Sequence, residues 1–251
     1  MGMGKNMIAL NARYPQSRPA EPVRRSAGPP VFADRHAVLS NDAAAALQTQ
    51  PGARQSFERN DTIFSEGDPV DRIYRIVSGT VRLCRHTQDG KRYIADFLLP
   101  GDMLGFIDPN EHLFTAEAVE HVVLVHYPRT QIARLFDSDA SVRSNFLVHF
   151  SARMMAFQDH LFTLACQNAK ERLASFLLRL AGRKATAAGQ RLDLSMGRRD
   201  IADHLGLSVE TICRSIAQLR DAGIVEVPNI HQLILKDIAA LRSLSQGTVV
   251  N

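Results

Sequence analysis

The stretch from Arg198 to Arg220, RRDIADHLGLSVETICRSIAQLR, constrains the fold more than any other part of the chain. Its pattern predicts two short helices joined by a tight turn, the first over about Arg199–Leu205 and the second ending near Arg220. Gly206 ends the first helix because glycine takes the left-handed conformation without strain. Ser208 can cap the second helix by accepting a hydrogen bond from a free backbone N–H. Apolar residues recur at three- and four-residue steps, as in a small shared core: Ile201, Leu205, Leu207, Ile212, Ile216 and Leu219.

The face left exposed on the second helix carries groups that can read DNA. Glu210 and Arg214 are four residues apart, so they share one face of the helix. Arginine can bond to guanine O6 and N7, and a carboxylate can accept from cytosine N4. A helix-turn-helix places such side chains in the major groove. The alternative is a plain helical hairpin in which the two side chains only pair on a solvated surface.

The predicted DNA contacts fall into two groups. Contacts to phosphates position a protein on the duplex, whereas contacts to base edges specify the sequence. The predicted base-reading residues are Glu210, Cys213 and Arg214, and the predicted phosphate contacts are Arg198, Arg199, Ser208 and Thr211.

The first part of the chain has the composition of an unstructured arm. Prolines and arginines recur over residues 1–30, and this composition predicts a disordered basic arm. Such an arm can contact DNA or RNA polymerase, or it can be a plain flexible extension. A short helix is expected over about Ser40–Leu47.

Short strands and glycine turns follow from about Phe57 to Tyr127. Asp89–Gly90 is a strong hairpin signal between two of these strands. Many brief strands at even spacing predict a small antiparallel barrel or jelly roll. We assign this sensor domain to residues 31–136.

A long amphipathic helix is predicted over residues 137–166. Its apolar stripe is expected to pair two copies of the chain, because a major-groove helix normally works in two-fold pairs. The alternative is that the stripe packs only on the barrel. The stripe consists of Val142, Phe146, Phe150, Met154, Phe157 and Leu161.

The remaining residues, 167–251, are expected to form a winged helix-turn-helix domain. A helix over about Ala169–Ala181 leads to the opening stretch, and a hairpin of Ile224–Val227 with Leu233–Leu235 forms the wing. The fold class is therefore α+β: a β jelly roll, a long dimerisation helix and a winged helix-turn-helix.

Composition narrows the class of protein. The net charge of +4 suits a polyanionic partner without requiring one. No run of eighteen apolar residues and no secretion signal is seen, so we expect a cytoplasmic protein without a membrane span. The cysteines are three in number and widely spaced, which favours a reducing compartment and does not match a metal site.

From about Phe57 to Lys236 the sequence resembles the Crp/Fnr family of bacterial transcription regulators. The resemblance rests on SGTVRLCRHTQDGKRYIADFLLPGDMLGF and on GLSVETICR. It implies a cyclic-nucleotide-binding-like jelly roll, a long dimer helix and a winged helix-turn-helix acting on DNA as a homodimer. It also implies that the turn at Gln88–Lys91 is a surface for RNA polymerase, although a solvated turn is the simpler interpretation.

Within that family the reading helix is most similar to the Fnr and FixK branches. Their pattern implies that Glu210 and Arg214 read a TTG half-site and its two-fold repeat. The chain departs from the pattern at Cys213, where the family has serine. A thiol is a weaker hydrogen-bond partner than a hydroxyl group, so the preference at one base pair is open.

The resemblance offers several possible signals for the barrel. In the cyclic-AMP branch an arginine and a carboxylate hold the ligand, but the matching positions, Gly105–Phe106 and Phe114–Ala116, carry neither. A buried anion without a cation is costly, so cyclic-AMP binding is not expected. The iron–sulfur cluster of Fnr needs several cysteines, and none precedes Cys84.

A haem- or nitric-oxide-dependent sensor is the alternative function. Cys84 and His86 are expected to share one face of a strand, and three more histidines lie in the same domain: His112, His121 and His126. Ordinary surface or core histidines are the simpler interpretation. An enzyme with a metal site in the barrel would need converging histidines at a spacing that is absent here.

The expectation is therefore a FixK-like activator, without cofactor or metal and not an enzyme. Such proteins control genes for low-oxygen, nitrogen-fixation or denitrification metabolism. Cys213 supplies a possible redox input, because the nearby Arg214 and Arg220 and the helix N-terminus favour the thiolate. Its oxidation would weaken DNA binding, whereas the simpler view is a cysteine that merely replaces serine.

Overall fold

A computed structural model of the chain describes residues 51–106, 110–184 and 191–247. The predicted basic arm over residues 1–30 and the predicted helix over Ser40–Leu47 lie outside the described residues. Residues 31–50 of the predicted sensor domain lie outside them as well.

Short antiparallel strands form a β-roll in the N-terminal part of the described chain. The strands are β1 Ala53–Phe57, β2 Thr62–Phe64, β3 Arg72–Ser78, β4 Val81–His86, β5 Arg92–Leu98, β6 Met103–Leu104, β7 Thr115–Ala118 and β8 Val122–Pro128. They form two four-stranded sheets with the orders β1-β8-β3-β6 and β2-β7-β4-β5. The predicted jelly roll is thereby confirmed.

The hairpin between β4 and β5 forms where the sequence predicts it. Gly90 has a φ of 78°, a left-handed conformation that favours glycine. The N–H of Thr87 donates to the carbonyl of Lys91 at 2.9 Å and closes the turn. The sequence does not reveal β1, because four of its five residues are exposed and its apolar alternation is weak.

The two sheets enclose an apolar core. Because successive strand residues point to opposite faces, alternate side chains of the strands enter it. Its most buried members are Ile76, Val81, Leu98, Ala116, Ala118, Val122 and Leu124.

Two helices, rather than one, follow the β-roll. Helix α1 spans Arg129–Ser138 and helix α2 spans Ala140–Cys166. Between them Asp139 has extended backbone, and its carboxylate accepts from the N–H of Ser141 at 2.8 Å and of Val142 at 3.3 Å. This cap starts a new helix. The boundary predicted at residue 137 is therefore three residues too early, and α1 was missed.

Helix α2 has an apolar outward face. Phe150, Met154, Phe157 and Leu161 are 37–48% exposed, and other large apolar side chains around them are also exposed. The first two residues of the predicted stripe behave differently. Val142 is buried, and the Phe146 ring lies 4.9 Å from that of Phe136 on α1. These two side chains have packing partners within the subunit, whereas the other four residues of the predicted stripe remain exposed.

The C-terminal part is a winged helix-turn-helix, as predicted. In its sheet the strand Gln232–Leu235 pairs with Val225–Asn229 on one side and with Arg191–Asp193 on the other, so a third strand joins the expected wing. A C-terminal helix, which the sequence reading also missed, buries Leu241. The elements are α3 Ala169–Arg183, β9 Arg191–Asp193, α4 Arg198–Leu205, α5 Val209–Asp221, β10 Val225–Asn229, β11 Gln232–Leu235 and α6 Ile238–Ser245.

None of the helices among the described residues is both long enough and apolar enough to cross a membrane.

Candidate nucleic-acid interface

The turn between α4 and α5 has the geometry that its sequence predicts. Gly206 has a φ of 63°, and the N–H of Leu207 donates to the carbonyl of Ala202 at 3.0 Å. The hydroxyl of Ser208 accepts from the N–H of Thr211 at 3.2 Å and so caps α5. Both helices are one residue longer than expected, since α4 begins at Arg198 and α5 ends at Asp221.

A small core fixes the orientation of α5. On α5 the buried residues are Ile212, Ser215, Ile216 and Leu219, and on α4 they include Ile201 and Leu205. Leu207, expected in this core, is only half-buried and packs at its edge. Because one face of α5 is buried against α4 and its neighbours, the opposite face points to solvent.

The outward face of α5 presents the predicted base-reading residues. Glu210, Cys213 and Arg214 are all exposed. Hydrogen bonds from its own N–H and from the Ser208 hydroxyl, with the charge of Arg214, lower the pKa of Glu210. The described structure nevertheless shows no salt bridge between Glu210 and Arg214. The polar heads of both side chains are therefore available to a duplex.

The residues predicted to contact phosphates differ in how exposed they are. Arg199 and Ser208 are exposed, and the Thr211 hydroxyl lies 3.0 Å from that of Ser208. Arg198 is half-buried, and its Nη1 is buried without a hydrogen-bond partner among the described residues. Burial lowers the pKa of Arg198, and the nearby Cys213 opposes this shift. Arg198 is thus less accessible than Arg199, and it is a neighbour of the Cys213 thiol.

Charged side chains of the β-roll hold α4. Arg82 on β4 is buried and donates to Glu117 at 2.7 Å and to Asp200 at 3.3 Å. Arg92 on β5 donates to Asp203 at 2.8 Å and also pairs with Asp200. Sequence reasoning missed these contacts, although a buried arginine in the middle of an apolar strand needs a partner.

The positions that match a cyclic-nucleotide site are occupied by other contacts. The ring of Phe106 lies 5.1 Å from that of Phe146, and Ala116 is fully buried. The Thr115 hydroxyl accepts from the N–H of Glu66 at 3.0 Å. The guanidinium of Arg85 lies 5.2 Å from the centre of the Phe114 ring. These residues hold the roll together through local contacts.

The residues considered for haem do not converge. Cys84 is buried, whereas His86 is exposed at the end of β4 beside the hairpin turn. The two residues share a face of the strand, as expected, but only Cys84 lies in the interior. Burial, with the charge of Glu117, raises the pKa of Cys84 to about 12, so the group is a thiol at neutral pH.

The remaining histidines of the roll have separate surroundings. His112 is stacked on Phe64 with ring centres 3.5 Å apart, and His121 pairs with Glu58 at the surface. Among the described residues, no group of three or more histidine, cysteine or acidic side chains is placed to hold a metal ion.

The two domains match known family models. Residues 54–139 match the cyclic nucleotide-binding domain, and residues 171–244 match the Crp-like helix-turn-helix domain. The nitrogen fixation regulation protein FixK of Azorhizobium caulinodans is 34% identical, over 86% of this chain and 91% of the relative. The chain belongs to the Crp/Fnr family of transcription regulators.

Other members of the Crp/Fnr family support the same assignment. FixK of Rhizobium meliloti is 35% identical over 72% of this chain and 82% of the relative. The structure of FixK2 from Bradyrhizobium japonicum superimposes with a TM-score of 0.73 at 31% identity, covering 78% of this chain and 98% of that one. The present chain is thus a Crp/Fnr-type regulator related to the FixK proteins.

Proposed function

We propose that the protein is a homodimeric transcription activator that reads a TTG-type palindrome with α5 of each subunit. The observation that carries this proposal is the outward face of α5, where Glu210 and Arg214 are exposed and not paired with each other. A carboxylate and a guanidinium at this spacing suit adjacent base edges in the major groove. The names of the FixK relatives point to genes of nitrogen fixation, and related low-oxygen or denitrification genes are included in the proposal.

The outward face of α2 supplies the dimer interface of this proposal. Phe150, Met154, Phe157 and Leu161 follow one another at three- and four-residue steps and remain exposed in a single subunit. An apolar patch of this kind marks a protein contact more often than a solvated surface. Pairing it with a second copy would place two reading helices at successive turns of the duplex, about 34 Å apart.

The turn at Gln88–Lys91 is the proposed contact with RNA polymerase. It projects from the β4–β5 hairpin, and Lys91 pairs with Asp89 at 2.8 Å on its surface. Support for this contact comes only from the exposed position of the turn and from the family resemblance.

Cys213 gives the proposed reading face a redox input. Its thiol is free and exposed, and it lies near the guanidinium of Arg198. Peroxide would convert the thiol to a sulfenic acid and release water, adding a polar oxygen to the face that meets the bases. We expect peroxide to weaken operator binding of the native protein but not of Cys213→Ser, which keeps the exposed Cys166. Equal sensitivity of the two proteins would reject a role for Cys213.

Selection of bound DNA from a random pool tests the proposed function directly. The reduced, ligand-free protein should enrich a TTG-type palindrome with two-fold symmetry. Glu210→Gln should retain binding but relax the preference within the half-site, because an amide donates as well as accepts. Binding that appears only after a small ligand is added, or enrichment of a single half-site, would contradict the proposal.

A further inference from the structure

A cavity of about 60 Å³ lies where the β-roll, α2, α3 and α4 meet. Its walls differ from the apolar cores described above because they are mostly ionisable. The ionisable lining residues are Asp96 and Asp102 from the roll, His149, Arg153 and His160 from α2, Arg179 and Arg183 from α3, and His204 from α4.

The charges around the cavity do not balance. Among the described lining residues, three arginines face two aspartates. Arg153 pairs with Asp96, and Arg183 pairs with Asp102. Arg179 forms no salt bridge with any described residue, and its Nη2 donates instead to Nε2 of His204 at 2.8 Å. The charges of Asp96 and Asp159 act on Arg179, but no carboxylate among the described residues forms a salt bridge with it at the wall of the cavity.

His204 cannot supply the missing negative charge. Its Nδ1 lies 3.0 Å from the carbonyl oxygen of Ile94, which only accepts, so Nδ1 carries the proton. Its Nε2 is then the acceptor for Arg179, and the ring is neutral. Burial, together with the charge of Arg179, lowers the pKa of His204 to about 3, in agreement with this assignment. The contact satisfies one N–H of Arg179 and leaves its charge in place.

Unsatisfied imidazole nitrogens also face the cavity. His160 is 3% exposed, and neither of its ring nitrogens has a well-aligned hydrogen-bond partner among the described residues, although the nearby backbone of His204 acts to raise its pKa. His149 is 4% exposed, and its Nε2 also has no hydrogen-bond partner among the described residues. Buried polar atoms normally have partners, and leaving one without costs about 1–3 kcal/mol. These nitrogens therefore indicate that the cavity is built for a polar occupant.

Water alone meets only part of this requirement. A cavity of this size holds about four water molecules, which can bond to the imidazoles. Water does not neutralise Arg179, which is half-buried, and a cation held partly out of bulk water without a paired anion is costly. A metal cation would be repelled by the three arginines.

We propose that this cavity binds one small monovalent oxyanion, with about three or four heavy atoms, held by Arg179 and by an N–H of His160. The single positive charge without a salt bridge among the described lining residues sets the charge of the ligand, and the room for about four water molecules sets its size. Planar oxyanions such as nitrate and formate fit both limits and can accept two hydrogen bonds from one guanidinium. The N–H of neutral His160 supplies a further donor.

Occupation of this site would hold the helix-turn-helix in the position seen here. The lining residues come from the roll, from the proposed dimer helix and from α4, so a ligand that bridges them stabilises this arrangement by mass action. This regulatory consequence rests on the proposed function, whereas the binding of the anion does not.

Calorimetric titration of the full-length protein with sodium nitrate or sodium formate tests the site. The buffer should be sodium gluconate at constant ionic strength, since gluconate is too large for the cavity. We expect saturable binding of one anion per subunit and a matching rise in Tm. Arg179→Gln should weaken binding at least tenfold, because it removes a charge-assisted contact. Arg134→Gln, at an exposed arginine on α1, should bind like the native protein.

A second variant protects the test against misfolding of Arg179→Gln. His160→Phe keeps an aromatic ring to stack on His204, whose centre lies 4.1 Å away, and removes both nitrogens. It should also lose at least tenfold in affinity without loss of Tm in gluconate. Absence of saturable binding by the native protein, or equal binding by His160→Phe, would overturn the proposal. DNA selection in gluconate, run separately, shows whether the proposed function holds regardless of that result.

Discussion

Helix α2 has a polar face toward the interior of the subunit and an apolar face toward solvent, which is the reverse of the usual arrangement of a surface helix. The inward face carries His149, Arg153 and His160, whereas the outward face carries Phe150 and Leu161 among other exposed apolar side chains. A helix of a monomeric protein normally buries its apolar side. The inversion shows that α2 is organised by two different partners: a polar site within the subunit and, as proposed, a second copy of the chain outside it.

Substitutions on the outward face of α2 should have the largest effect, on dimerisation and on DNA binding. In Met154→Glu/Leu161→Glu two charges would enter the proposed interface, and we expect monomers with roughly a hundredfold weaker binding to a palindrome, since the second half-site is lost. Sedimentation and titration with operator DNA measure the two effects. Ala133→Glu/Ala239→Glu adds the same charge at exposed helical positions and should remain dimeric. A double variant on α2 that still forms dimers would show that another surface makes the interface.

Substitutions on the inward face of α2 should lower the free energy of unfolding more than they weaken dimerisation. Arg153→Met removes the salt-bridge partner of Asp96 and leaves the charges of Arg183 and Arg179 near that carboxylate. The pair is only half-buried, with side chains 22% and 31% exposed, so we expect a loss of about 1–3 kcal/mol, less than for a fully buried pair. Denaturant unfolding at pH 7 and a fixed protein concentration measures this cost. Arg134→Met, at an exposed site, should change the free energy of unfolding by less than about 0.5 kcal/mol. Similar values for the two variants would mean that the inward face is effectively solvated.

The two faces also differ in how far the sequence could predict them. The outward stripe is visible because its residues are three and four positions apart, a spacing that repeats along any helix. The inward cluster joins Asp96 to Arg153 across 57 residues and Asp102 to Arg183 across 81. No local pattern relates such positions.

The same distinction between local and long-range contacts explains which other elements could be predicted from the sequence. The turn at Gly206 and the cap at Ser208 depend on neighbouring residues, and both were predicted. Strand β9 and helix α6 are short elements of 3 and 8 residues, and packing against distant elements decides them. Helix α1 was missed because only Ile132 is buried on it, so its apolar periodicity is weak.

Acid should lower the free energy of unfolding through the buried histidines on the inward face of α2. Burial, with the charge of Arg179, lowers the pKa of His160 to about 4, whereas the value in an unfolded chain is about 6.5. Between these values the unfolded chain binds a proton that the folded protein does not, so the free energy of unfolding falls as the pH falls from about 6.5 to 4. His204, with a pKa of about 3, acts in the same direction.

Unfolding measured at pH 7, 5.5 and 4.5 should show a loss on the order of a few kcal/mol. Asp96 makes the free energy of unfolding depend on pH only at lower pH. Burial alone would raise its pKa, but Arg153 and Arg183 lower it to about 2, so its stabilisation is lost below about pH 4. His160→Phe should have a smaller loss between pH 7 and 4.5 than the native protein. A free energy of unfolding that stays constant over this range would contradict the burial of neutral imidazoles on this face.

The exposed arginine of α5 should show the smallest effect on stability and a selective effect on function. Arg214 is exposed and forms no salt bridge within the described structure, unlike Arg153. We therefore expect Arg214→Ala to change the free energy of unfolding by less than about 0.5 kcal/mol. Binding to a TTG palindrome should weaken by about 1–3 kcal/mol per reading helix, with relaxed preference at one base pair. Titrations with the palindrome and with scrambled DNA at one salt concentration separate the two roles. An equal loss on both duplexes would make Arg214 a phosphate contact, because contacts to the backbone carry no sequence information.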